Sequence, residues 1–193
     1  MSKRIALFSA AAFGALALTA TVVAPVIAQD KMKSEMSGGK TVMVGGAAMF
    51  PSKNIIQNAV NSKDHTTLVA AVKAAGLVDT LEGKGPFTVF APTNAAFGKL
   101  PAGTVDALVK PENKATLTKI LTYHVVPGRL EASSLTDGRK LKTVEGDELT
   151  VHAAGGKVTI VDTKGGSSTV TIPNVNQSNG VIHVVDTVLM PAS

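Results

Sequence analysis

The 193-residue chain is 45% apolar, carries a formal charge of +5 and contains no cysteine. Its length supports one domain with a real core, and its apolar fraction excludes a disordered tail. Without cysteine there is neither a disulfide staple nor a thiolate-held metal, and the scattered charges form no basic stripe of the kind that nucleic acid requires.

The first 28 residues have a character of their own. Lys3 and Arg4 precede an uncharged, Ala-rich apolar run from Ile5 to Ile27, and Val26-Ile27-Ala28 supplies small or medium residues for cleavage. This pattern predicts a secretory signal peptide over residues 1–28. The run is long enough to span a membrane, but Pro25, the Ala richness and the cleavage site favour removal over anchoring. Cleavage would lower the net charge from +5 to +3 by removing Lys3 and Arg4, and would leave no membrane anchor. Residues 29–40 are polar and contain Gly and Ser, as a flexible linker does. Residues 41–53 are more apolar but broken by Gly45-Gly46. They read either as an arm lying against the domain or as a loosely ordered extension.

Helical periodicity begins after Pro51. Ile55, Ile56, Ala59 and Val60 share one face of a short helix. Leu68, Val69, Val72, Ala75 and Leu77 then form a longer stripe, capped by Asp64 or Thr66 and ended by Gly76. The next stretch, Pro86–Phe97, holds three of the six Phe residues of the chain. Phe87, Val89 and Ala91 alternate with Thr88 and Phe90, so a strand here is buried on both faces. Pro92 stops the pairing, Thr93 and Asn94 offer cap-type oxygens, and Phe97 lies in the helix that follows. Beyond it, Pro111 restarts a helix with Leu117, Ile120 and Leu121 on its buried face. That helix ends at Tyr123-His124, where Val125-Val126 opens a strand.

From Leu141 the period changes to two. Leu149 and Val151, Val158 and Ile160, and Val170 and Ile172 alternate with polar neighbours between Gly-containing turns, as in an antiparallel meander. Asn179-Gly180 is a hairpin signal before a last strand, Val181–Val188, apolar on both faces and therefore central. Helices first and a meander after give an α+β domain.

Few residues suggest chemistry. His65, His124, His152 and His183 have no metal-ligand spacing, and the sequence contains no phosphate-cradling Gly motif and no nucleophile elbow. No enzyme, cofactor or metal is expected. A buried imidazole needs partners for both ring nitrogens, so Tyr123-His124 reads as a clamp between a helix end and a sheet. His183, in the doubly buried strand, and Asn94, as a cap or bridge, also read as structural.

Three blocks carry a resemblance. Pro86–Phe97, Tyr123-His124 and Ser178–Pro191 stand in the order of the signature blocks of the fasciclin domain family, and the chain resembles that family over residues 54–191. The resemblance implies a wedge-shaped antiparallel β-sandwich with several short helices packed at one side. It implies a secreted, non-enzymatic adhesion or surface-interaction module, periplasmic or extracellular. The partner would be a surface protein, an envelope or matrix polysaccharide, or a second copy of the chain. The alternative is a carrier of a small apolar ligand, such as a lipid, held between helices and sandwich. In animal members the Tyr-His pair and its aliphatic flanks are linked to adhesion, which makes Tyr123, His124, Ile120, Leu121, Val125 and Val126 a candidate adhesion motif here.

Overall fold

The computed structural model describes residues 41–192. The expected signal peptide (1–28) and linker (29–40) lie outside the described residues. Among the described residues, no helix is long and apolar enough to cross a membrane.

Two strands open the described chain, β1 (Val42–Val44) and β2 (Ala47–Met49), paired as an antiparallel hairpin. Its inward residues Val44 and Met49 belong to the same core cluster as the helices that follow. Helix α1 (Ile55–Ala59) starts in a capping box, in which Asn54 accepts the Gln57 N–H and the Gln57 side chain accepts the Asn54 N–H. Val60, expected on the buried face, is instead 48% exposed at the C-cap of the helix.

Helix α2 (Thr66–Ala75) buries Leu68, Ala71, Val72 and Ala75. Gly76 ends it in the left-handed conformation (φ 73°), where its N–H meets the Val72 and Lys73 carbonyls. The expected cap by Asp64 or Thr66 is not formed. His65 occupies the cap position without a side-chain cap bond, and the capping oxygen comes from Asn94, which accepts the Thr67 N–H at 3.0 Å.

Helix α3 (Val78–Glu82) leads into β3 (Phe87–Pro92), and helix α4 (Asn94–Gly98) follows within two residues. Thr93 caps α4 by accepting the Ala96 N–H. Pro92 ends the strand, as expected. It is still in register with Val185, and the ladder stops only after it. Helices α5 (Thr104–Leu108) and α6 (Lys114–Tyr123) then run to β4 (Val125–Pro127).

The meander follows as β5 (Lys140–Lys142), β6 (Glu148–Ala154), β7 (Lys157–Val161), β8 (Ser167–Gln177) and β9 (Gly180–Val185). Gly155 and Gly156, both at positive φ, make the two-residue turn between β6 and β7. The sheet order is β4-β3-β9-β8-β7-β6-β5. All pairs are antiparallel except β3 with β9, which run parallel from Phe87↔Gly180 to Pro92↔Val185. Strand β8 changes register twice, between Val170 and Ile172 and between Ile172 and Val175. The bulges bend it so that its first three residues, Ser167–Thr169, pair with β7 and the rest with β9. The sheet curls until its two edges meet, where the Val144 N–H donates to the Val125 carbonyl at 2.8 Å.

This curl creates two cores. Val89, Ala91, Ile182 and Val184 face the helices. Phe90, Val126, Val151, Ile160 and Val185 fill the interior of the curled sheet with Tyr123 and Leu189. The alternation read in Pro86–Phe97 is therefore literal: successive residues of β3 enter different cores. All six residues of β9 are buried, as befits a central strand.

Candidate functional site

Tyr123 and His124 stand where α6 gives way to β4. Tyr123 is fully buried, and its hydroxyl accepts the Thr163 N–H at 3.1 Å. Burial raises its pKa. His124 is the C-cap of α6 and is 3% exposed. Its Nδ1 donates to the Ile120 carbonyl at 2.8 Å, one turn back in the helix, and its Nε2 accepts the Leu189 N–H at 3.0 Å. An N–H donor facing Nε2 fixes the tautomer, because that nitrogen must present a lone pair. Burial lowers the His124 pKa from 6.5 to about 4, so the ring is neutral at pH 7.

The four flanking aliphatics are also buried. Ile120, Leu121 and Val125 face the helical core, whereas Val126 faces the sheet interior. The six residues of the candidate adhesion motif are thus divided between two cores, and none presents its side chain to solvent.

The other singled-out residues form the frame around this junction. Phe90 is fully buried and stacks on His183 with centroids 5.7 Å apart. His183 donates from Nε2 to the Leu130 carbonyl at 2.7 Å and accepts the Asn174 N–H at Nδ1. Phe97 is buried in the helical core, and the half-buried Phe87 packs against it. Asn94 reaches back to the start of α2, where it donates to the Lys63 carbonyl at 2.8 Å and accepts from Thr67.

The bridging roles of three asparagines escaped sequence reasoning. Asn179 accepts the Ile55 N–H and donates to the Leu81 and Gly83 carbonyls, tying α1 and α3 to the β8–β9 turn. Asn58 donates to the Phe50 carbonyl and to Gln177 Oε1. Asn174, at φ 56°, accepts the Ala132 N–H. For Asn174 the usable signal is its residue type, since asparagine is enriched at positive φ among residues other than glycine.

Between α1, α2 and the helix-facing side of β3 and β9 lies an apolar cavity of about 40 Å³. The β1–β2 hairpin contributes Val44 and Met49 to its wall. The hairpin turn docks on the short turn that carries His65, where the Lys63 N–H donates to the Gly45 carbonyl at 3.2 Å. His65 and His124 are the lining residues with polar side chains. Among the described residues, no group of three or more His, Cys, Asp or Glu is placed to hold a metal.

Comparison with known proteins places this architecture. The family model for the fasciclin domain matches residues 63–191. The chain belongs to the fasciclin domain family. Protein sll1483 of Synechocystis sp. PCC 6803 is 46% identical to it over 86% of this chain and 88% of that one. The cell surface glycolipoprotein MPB83 of Mycobacterium bovis is 39% identical over 77% of this chain and 64% of that one. The FAS1 domain pair of the insect cell adhesion molecule fasciclin I superposes with a TM-score of 0.65 at 18% identity, over 77% of this chain and 57% of that one. This fasciclin domain therefore has a curled mixed sheet with short helices on one side, and its Tyr-His pair lies inside that frame.

Proposed function

We propose that this protein is a non-enzymatic surface-interaction module that works outside the cytoplasm, in the periplasm or beyond the cell. Its partner is a surface protein, an envelope or matrix polysaccharide, or a second copy of itself. The observation that carries this reading is kinship with a family that includes the cell surface glycolipoprotein MPB83. The burial of Tyr123 and His124 supports a second statement: the pair acts on adhesion only by holding the fold, and the contact is made by exposed residues elsewhere. All polar atoms of the two side chains are engaged inside the domain.

The test is attachment. Beads coated with the purified protein should bind the envelope fraction of its own host, or each other, and soluble protein should compete. Beads that bind neither the envelope nor one another would overturn the reading.

A further inference from the structure

One asparagine stands apart in the sequence. Among the asparagines of the chain, only Asn179 precedes a glycine. Glycine has no Cβ to shield its backbone nitrogen, and its backbone angles are the least restricted. In an open chain the Gly180 nitrogen can therefore reach the side-chain carbonyl carbon of Asn179 more readily than the nitrogen after any other asparagine can reach its own.

The reaction that follows needs only base and water. The Gly180 nitrogen gives up its proton and attacks Asn179 Cγ. A C–N bond forms, the Cγ–Nδ2 bond breaks, and Nδ2 leaves as ammonia. Water then opens the cyclic imide at either carbonyl and leaves aspartate or isoaspartate at position 179. Water is consumed and ammonia released, and nothing is oxidised or reduced.

In the folded protein the reacting atoms are tied down. Asn179 is 7% exposed. Its leaving atom, Nδ2, donates to the Leu81 carbonyl at 2.7 Å and to the Gly83 carbonyl at 3.0 Å, and its Oδ1 accepts the Ile55 N–H at 3.1 Å. The backbone is held too, because the Asn179 carbonyl accepts the Phe87 N–H at 3.0 Å. Gly180 is in register with Phe87 across the parallel ladder, and a Cβ on it would run into the Phe87 carbonyl. Closing the imide expels Nδ2 and turns the backbone, so these bonds must part first.

Both products suit the site badly. Aspartate would set a carboxylate oxygen, which only accepts, against the Leu81 and Gly83 carbonyls. Isoaspartate adds a main-chain carbon at a point where the backbone is already seated against β3.

We infer that Asn179–Gly180 is a deamidation site, which the native fold protects and whose products weaken that fold. Chains are altered in proportion to the time they spend open, and an altered chain opens more often. The chain has no cysteine, so no disulfide limits such openings. The site is internal and independent of the surface partner proposed above.

Peptide mapping by mass spectrometry, with isoaspartate separated from aspartate by chromatography, would test this. The purified protein is held in mildly alkaline buffer with and without guanidinium chloride. In denaturant Asn179 should convert ahead of every other asparagine, including the exposed Asn61 that precedes Ser62. Without denaturant its conversion should be slower by roughly tenfold or more. Gly180→Ala, compared with the parent only in denaturant so that its folding is immaterial, should convert more slowly because its Cβ shields the nitrogen. Partly altered parent protein is then refolded and given a protease pulse at its unfolding midpoint. Chains altered at position 179 should be depleted from the survivors roughly fivefold or more, the ratio that a tenfold shift of the folding equilibrium gives. The inference is overturned if another asparagine reacts first in denaturant, or if Asn179 reacts as fast in the folded protein. It is equally overturned if Gly180→Ala reacts as fast as the parent, or if altered chains survive the protease as well as unaltered ones.

Discussion

His124 Nε2 accepts the backbone N–H of Leu189 at 3.0 Å, 65 positions along the chain. This bond pins the segment after the last strand to the end of α6, and it exists only while the imidazole is neutral. Protonation of Nε2 would set two donors against each other in a dry site.

Acid should therefore weaken the fold in a defined window. The His124 pKa is lowered from 6.5 to about 4 by burial, and burial lowers those of His65 and His183 too. Between these values the unfolded chain binds more protons than the folded one, so stability rises with pH. The contribution is fully present above about pH 6.5 and is lost as the pH falls toward 4. For His124 alone it amounts to about 3 kcal/mol. Urea melts at a series of pH values should show this loss, and His124→Gln should flatten part of it. A profile level from pH 7 to pH 4 would contradict the assignment.

The Tyr-His pair should behave as architecture. His124→Ala strands the Ile120 carbonyl and the Leu189 N–H, at about 1–3 kcal/mol for each buried group left unpaired. Tyr123→Phe leaves only the Thr163 N–H without its acceptor and should be milder. Loss of attachment should follow loss of folded protein in both. Thermal melts and attachment measured on the same preparations check this. Full stability with abolished attachment in His124→Ala would make the pair a contact site instead.

Phe90 sits at the centre of the sheet interior and stacks on His183. Phe90→Ala should cost about 3–5 kcal/mol, the usual range for deleting a buried aromatic ring. Val151→Ala, in the same core but with fewer atoms removed, should cost less. Equal losses in urea melts would show that β3 is not the element on which the core is built.

Asn179→Ala should destabilise by at least about 1–3 kcal/mol, since it leaves the Ile55 N–H and the Leu81 and Gly83 carbonyls short of a partner. Asn179→Asp keeps the acceptor and loses both donors, so it should also destabilise, most at neutral pH where the carboxylate faces two carbonyl oxygens. Chemical denaturation of the two variants tests this, and unchanged midpoints would refute it.

Much of this frame is legible in the residues. Strand β3 could be read because both of its faces are apolar and a proline and a cap follow at once. The meander could be read because Leu149, Val151 and Ile160 keep strict alternation between glycine turns. The harder features depend on contacts between distant parts of the chain. The cap of α2 comes from Asn94, 27 positions beyond the N–H it accepts, so local pattern pointed to Asp64 or Thr66 instead. Asn179-Gly180 looked like a hairpin turn, but the turn is Ser178-Asn179 and Gly180 already pairs in β9. Glycine is needed there because a Cβ would run into the Phe87 carbonyl of the parallel neighbour. The direction of pairing between β3 and β9 could not be read from either strand, since a central strand buried on both faces is largely apolar whichever way its neighbour runs. The cavity follows from how α1 and α2 settle on the sheet, which no periodicity encodes.

The closure of the sheet bears on how the protein fares when crowded. Its edge strands β4 and β5 are three residues each, and the Val144–Val125 bond draws them together. An exposed edge strand is a template on which another chain can add, and the length of free edge sets how readily it does so. At this seam that template is reduced to a few residues that are already partly closed. Copies that approach one another at this seam would therefore meet through side chains and not through backbone, which guards this edge against strand addition.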